Sequence, residues 1–120
     1  MSVDASANER FELDVRIGSV ERQVNELSDL RNGYQRSLEH FHAQFRSVSR
    51  RRESSLHESM QAGSSVAHRE LEEQQELLFH INRYVDDSAE AFDQLNSQVR
   101  QALDDERQRL IRAKGELPWE

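Results

Sequence analysis

Histidines and carboxylates are the residues of this 120-residue chain whose chemistry could bind a metal ion or transfer a proton. A metal site on a helix uses two ligands four residues apart with a third nearby, and no two histidines have this spacing. Di-iron bundles repeat a Glu-x-x-His motif on two helices, whereas Glu76 and His80 are four residues apart and have no second copy. We therefore expect no metal site and no cofactor, and surface positions for the five histidines, which are His40, His42, His57, His68 and His80.

Motifs for catalysis are missing from the sequence. The chain has no cysteine, which excludes thiol catalysis and thiolate metal sites. It also lacks a Gly-rich phosphate loop and a Gly-x-Ser-x-Gly elbow. A pair of helices does not easily form a concave site that excludes water. We therefore expect no enzymatic activity.

The charge of the chain bears on which partners it can bind. A net charge of −7 argues against non-specific binding to nucleic acid or to anionic lipid. The basic cluster Arg50-Arg51-Arg52 can contact a phosphate or an acidic partner, or simply lie in solvent. No run of 18 apolar residues is present, so no membrane insertion is expected, and MSVDASANERFELD lacks the features of a signal peptide. We expect a cytoplasmic protein that, if exported with a partner, uses a route independent of a signal peptide.

Composition and spacing predict two long helices. Only 35% of the residues are apolar and 32% are charged, with one proline, which is typical of coiled coils and allows only a thin core. In the first half, apolar residues recur at alternating steps of four and three. One row is Leu13, Val20, Leu27, Tyr34, Phe41 and Val48, and the other is Ile17, Val24, Arg31, Leu38, Phe45 and Arg52. This pattern predicts helix 1 over about residues 7–60.

The ends and the middle of helix 1 carry specific signals. Ser6 and Glu9 have the spacing of a capping box, with Ser6 as the N-cap. Asn32-Gly33 resembles a turn, but the heptad keeps its phase from Leu27 to Tyr34. A turn would normally reset that phase, so we expect one continuous helix.

The second half repeats the design over about residues 66–114. One row is Leu71, Leu78, Val85, Phe92 and Val99, and beside it lie Ile81, Ser88, Leu95 and Ala102. After Val99 the row moves by one position to Leu103, Leu110 and Leu117, which is a stutter. Lys114, Gly115 and Pro118 are typical of a helix end, so residues 115–120 are expected to form a short tail.

The segment QAGSSV at residues 61–66 separates the two helices. Gly63 gives a flexible backbone, and Ser64 or Ser65 can cap the second helix. A turn at about residues 61–65 predicts an all-α, coiled-coil-like antiparallel hairpin that forms a single domain over residues 1–120. The pairs expected across it are Val48–Leu78, Phe45–Ile81, Phe41–Val85, Tyr34–Phe92 and Leu27–Val99.

The middle of this hairpin is more apolar than two facing helices need. Such a widened belt indicates that further helices pack on it and complete a four-helix bundle, although scattered surface aromatics are the simpler alternative. Trp119 in the tail is either an interface anchor or an inert terminal residue. The candidate partner-binding residues are Tyr34, Phe41, Phe45, Leu77, Phe79, Ile81, Tyr84, Phe92 and Trp119.

An acidic helical hairpin without a signal peptide resembles the small WXG100-like proteins of type VII secretion. It is most similar in architecture to the helical partners of LXG-domain toxins of Gram-positive bacteria. The Trp-x-Gly of the WXG100 turn is absent, since Ala62-Gly63-Ser64 holds that position. The Tyr-x-x-x-Asp/Glu export signal is absent too, since Tyr84 is followed four residues later by Ser88.

The resemblance implies a targeting factor, or chaperone, for a toxin. Such a protein binds the helical N-terminal LXG domain and promotes its export by a type VIIb system, together with a second small helical partner that carries the signal. Two alternatives stay open. One is a homodimeric coiled-coil structural protein, and the other is an antitoxin-type binding protein.

Overall fold

A computed structural model describes the backbone of residues 3–118 and side chains from residue 5 to residue 118, and it contains two α-helices joined by a tight turn. Helix α1 spans Val3–Gln61 and helix α2 spans Ser65–Gly115. Because α1 begins before Ser6, that serine lies buried inside the helix and is not its N-cap, so the expected capping box with Glu9 is wrong. Helix α1 continues through Asn32 and Gly33, as the unbroken heptad phase predicts.

The turn lies where the sequence predicts it. Gly63 has a φ of 94°, a left-handed conformation that glycine adopts without strain. The Gly63 amide donates to the carbonyl oxygen of Met60 at 2.9 Å, and the Ala62 amide donates to that of Glu58 at 3.1 Å. The Ala67 amide donates to Ser64 Oγ at 3.2 Å, so Ser64 is the N-cap of α2. The predicted all-α antiparallel hairpin is confirmed.

Packing divides the hairpin into two compact units, which we describe separately. Unit 1 consists of Met1–Asn32 and Asp93–Glu120, and unit 2 consists of Gly33–Phe92. In each unit a segment of α1 packs against a segment of α2. The single domain over residues 1–120 stays a prediction, and the contacts within the hairpin fall into these two groups.

Unit 1 combines a few buried apolar residues with ion pairs between the helices. Val20 and Leu110 are buried. The interhelical ion pairs are Arg31 with Asp93 at 2.9 Å, Arg107 with Glu21 at 3.1 Å, and Lys114 with Asp14 at 2.6 Å.

Unit 2 has its best-buried residues next to the turn. Leu56, Ala67 and Leu71 form a cluster with Met60 packed against it. Farther from the turn, the rings of Tyr34 and Phe92 stack with their centroids 4.2 Å apart, as the pairing across the hairpin predicts. These two aromatic residues therefore pack the two helices against each other, and most of their surface contacts the hairpin itself and not a partner.

The line of side chains facing the other helix, which we call the seam, departs from the predicted heptad after Leu38. Apart from Ser47, the part-buried and buried residues of α1 in this region are Leu38, His42, Phe45, Ser49, Glu53, Leu56 and Met60. They follow an 11-residue spacing from Leu38 to Ser49 to Met60, which suits a straighter pair of helices than a heptad does. Phe41 and Val48, predicted to face Val85 and Leu78, are exposed for this reason.

Candidate functional site: an apolar face of unit 2

Five large apolar side chains of unit 2 are exposed although they lie in the middle of their helices, and four of them share one face. The exposed fractions of these four are 42% for Phe41, 56% for Val48, 48% for Leu77 and 60% for Tyr84. We call these four residues the apolar patch. Contiguous apolar surface of this kind is typical of an interaction site.

The four residues share one face of unit 2 because of where they stand relative to the seam. Each directly precedes a seam residue, and these seam residues are His42, Ser49, Leu78 and Val85 in turn. One residue back along a helix is a rotation of about 100°, so every patch residue is displaced from its seam in the same rotational sense. Since α1 and α2 are antiparallel, the same sense of rotation on both helices leads to the same face.

Part-buried side chains form the floor of the apolar patch. Phe45 and Ile81 lie between the seam and the exposed patch residues and are each part-buried. The rings of Phe41 and Phe45 are tilted with their centroids 6.3 Å apart, so Phe45 supports the exposed ring of Phe41. A ligand on this face would therefore contact mainly Phe41, Val48, Leu77 and Tyr84, with Phe45 and Ile81 beneath them.

Two of the predicted binding residues do not belong to this patch. Phe79 follows the seam residue Leu78 instead of preceding it, so the helix directs it to the opposite face. Its ring contacts that of His80 at a centroid distance of 5.7 Å, and 60% of the side chain is exposed. Trp119 lies outside the described residues.

The opposite face of unit 2 is mostly polar, with Phe79 as an exposed apolar residue, and it carries a polar contact between the helices. Nε2 of His42 and Oδ1 of Asn82 are 2.6 Å apart, so the ring nitrogen donates to the amide oxygen. Arg46, Arg50 and Glu53 line a hollow on this side next to Leu78. Polar groups on this face bind each other across the two helices, whereas the apolar groups of the patch are left exposed. A partner protein is therefore expected on the patch face.

Charge in unit 2 is divided between the helices. On α1, five arginines and three glutamates give a net charge of 5 − 3 = +2. On α2, two arginines and seven carboxylates give 2 − 7 = −5 over the same unit. Arg51 lies beside Val48 in a shallow surface hollow, and Glu73 is one turn before Leu77. Neither Arg51 nor Glu73 forms an ion pair with any described residue.

Two polar seam residues could not be identified from hydrophobic spacing. Ser49 is 1% exposed, and its Oγ accepts a hydrogen bond from Gln74 Nε2 at 3.0 Å. Asn96 of unit 1 is buried, and its Nδ2 donates to the carbonyl oxygen of Leu27 at 3.3 Å. Leu95, which was predicted to lie beside this seam, is exposed, so the stutter of α2 comes before Val99 and not after it.

For Ser49, the 11-residue spacing from Leu38 is the one signal in the sequence that could have indicated a seam position.

Metal-binding clusters and side chains with a shifted pKa are not found at the apolar patch among the described residues. Within residues 5–118, no group of three or more His, Cys, Asp or Glu side chains is arranged to bind a metal ion. Arg109 donates to Glu106 in unit 1 and lowers the pKa of that exposed carboxyl, while the pKa of Arg109 is raised by the same contact. The patch therefore offers shape and apolar surface and not reactive groups.

Comparison with known proteins does not assign a family or a function to this chain. Neither α1 nor α2, over the described residues, is long and apolar enough to cross a membrane. No protein-family model, no curated protein and no solved structure matches this chain.

Proposed function

We propose that this protein is a non-enzymatic helical adaptor that binds amphipathic helices of a partner protein through the apolar patch. The client that the sequence favours is the helical N-terminal LXG domain of a toxin exported by a type VIIb system. The observation that carries the proposal is the exposure of Phe41, Val48, Leu77 and Tyr84 on one face of unit 2. Helix-in-groove recognition uses apolar anchors at helical spacing in this way.

The total surface of the chain supports a need for a partner. Its accessible area is 8991 Å². A folded globular monomer of this mass would expose about 6,700 Å². The excess of about 2,300 Å² is more than the roughly 800 Å² that a standard interface covers on each partner, and it lies in the range of large permanent interfaces. A helical client would cover part of this surface and bury the patch.

The resemblance to LXG-toxin partners supports the choice of client. The hairpin architecture fits that group, and the missing Tyr-x-x-x-Asp/Glu signal fits the member that relies on a second small partner for export. The polar face, where His42 contacts Asn82, would remain in solvent. A homodimeric structural protein and an antitoxin-type protein are the alternatives that experiment has to separate.

Two aromatic residues of equal exposure provide a matched test. Tyr84 and Phe79 are each 60% exposed on α2, but only Tyr84 lies on the patch. We expect Tyr84→Ser to weaken co-purification with a co-expressed LXG domain at least about tenfold, because an aromatic interface anchor contributes about 2 kcal/mol or more. Phe79→Ser should leave co-purification unchanged. Equal loss in both variants, or no complex with the unaltered chain, would refute the adaptor proposal.

The domain of the toxin that binds separates the adaptor from the antitoxin. An adaptor for export should bind the isolated LXG domain and leave the activity of the toxic domain unchanged. Binding to the toxic domain with loss of its activity would favour the antitoxin alternative. Pull-down with each toxin domain separately, followed by an assay of toxin activity, measures the difference.

A further inference from the structure

We infer that, in the absence of a client, the apolar patch is covered by a second copy of this chain, with α1 of each copy lying on α2 of the other. The two copies are related by a two-fold axis parallel to the helices. This arrangement makes a four-helix bundle in which every neighbouring pair of helices is antiparallel. The inference concerns the protein alone and does not depend on the identity of the client.

The patch residues are matched in position for this packing. Contacts between His42 and Asn82 and between Ser49 and Gln74 show which residues of α1 and α2 lie level with each other in unit 2. By this register Phe41 is level with Tyr84, and Val48 is level with Leu77. Rotation about an axis parallel to the helices preserves the level of every residue. Phe41 of one copy therefore meets Tyr84 of the other, and Val48 meets Leu77.

Charge favours this arrangement over the alternative two-fold packing. In unit 2 the net charge is +2 on α1 and −5 on α2, from 5 − 3 and 2 − 7. Placing α1 on α2 of the other copy brings opposite charges together. It also brings Arg51, beside the patch on α1, to the level of Glu73 on α2. The alternative, with the axis perpendicular to the helices, would place the acidic α2 on the acidic α2 and is disfavoured by like-charge repulsion.

The amount of exposed surface also fits a second copy. An excess of about 2,300 Å² per chain over a globular monomer lies in the range covered by each partner of a permanent dimer. A symmetric interface uses the same patch on both copies, so no further surface has to be assumed. A client that uses the patch must then displace the second copy.

Cysteine cross-linking tests the arrangement directly because the natural chain contains no cysteine. Val48→Cys and Leu77→Cys are each prepared as single variants and then mixed under mild oxidation. We expect a disulfide-linked dimer in the mixture and little linkage in either variant alone, since Val48 meets Leu77 and not another Val48. A disulfide requires Cα atoms closer than about 7 Å, so the product reports contact. A mixture of Val48→Cys with Phe79→Cys is the matched control and should not cross-link.

Sedimentation of the unaltered chain gives the second readout. We expect a species of twice the chain mass. A folded monomer at all concentrations, or equal linkage of Val48→Cys with itself, would overturn the inference. A monomer that still binds the LXG domain would refute the dimer and leave the adaptor proposal standing. A dimer that binds no LXG domain would refute the adaptor proposal and leave the dimer inference standing.

Discussion

The amide of Asn96 occupies a seam position in unit 1 where the apolar pattern favours Leu95. Its Nδ2 donates to the carbonyl oxygen of Leu27, which as a helical carbonyl also accepts from its own helix. A buried asparagine at a coiled-coil seam commonly specifies register at some cost in stability. Asn96 therefore helps to define which residues of α1 and α2 face each other, and contributes little to the free energy of unfolding.

Replacing Asn96 tests this interpretation at the level of one residue. We expect Asn96→Leu to raise the free energy of unfolding by about 1 kcal/mol, because an apolar side chain replaces a polar one without leaving a helical carbonyl unsatisfied. Urea unfolding followed by circular dichroism measures the change. Asn25→Leu, an exposed change in the same unit, should alter it by less than about 0.5 kcal/mol. A loss of stability in Asn96→Leu would contradict the interpretation.

The helices of unit 2 show how far hydrophobic spacing predicts a structure. The pairing of Tyr34 with Phe92 was predictable because both residues stand in rows whose phase is continuous. The exposure of Phe41 and Val48 was not, because Ser49 is small and polar and gives no apolar signal in the sequence. The candidate site was therefore predicted as an apolar region, but its members became clear only once the seam was known.

Two glycines, one in the turn and one inside α1, give predictions of opposite sign. Gly63 has a φ of 94°, and a Cβ there would meet no atom within 4 Å, so Gly63→Ala costs only backbone strain. We expect the free energy of unfolding to fall by about 1–2 kcal/mol. Gly33 lies inside α1, where a Cβ would only reach the Arg36 side chain at 4.0 Å. Gly33→Ala should raise it by about 1 kcal/mol. Thermal unfolding compares the two, and a change of the same sign in both would contradict the assigned backbone conformations.

At the scale of the whole molecule, little of the chain is protected by its own fold. The buried apolar side chains among the described residues are Val20, Leu56, Ala67, Leu71, Val85 and Leu110. Conformational entropy opposes the ordering of every residue in both helices. A core of this size supplies little to offset it, so the stability of the folded chain should depend on what covers the apolar patch.

This dependence makes the melting temperature sensitive to protein concentration. If folding is coupled to pairing through the patch, mass action raises the melting temperature by roughly 3 °C for each tenfold increase in concentration. Val48→Asp should abolish the increase, because it places a charge in the apolar contact. Ser54→Asp adds the same charge at an exposed position that follows the seam residue Glu53, so the helix directs it away from the patch, and this variant should retain the increase. A concentration-independent transition in the unaltered chain would mean that the two helices are stable alone, and that the exposed patch is not what stabilises the fold.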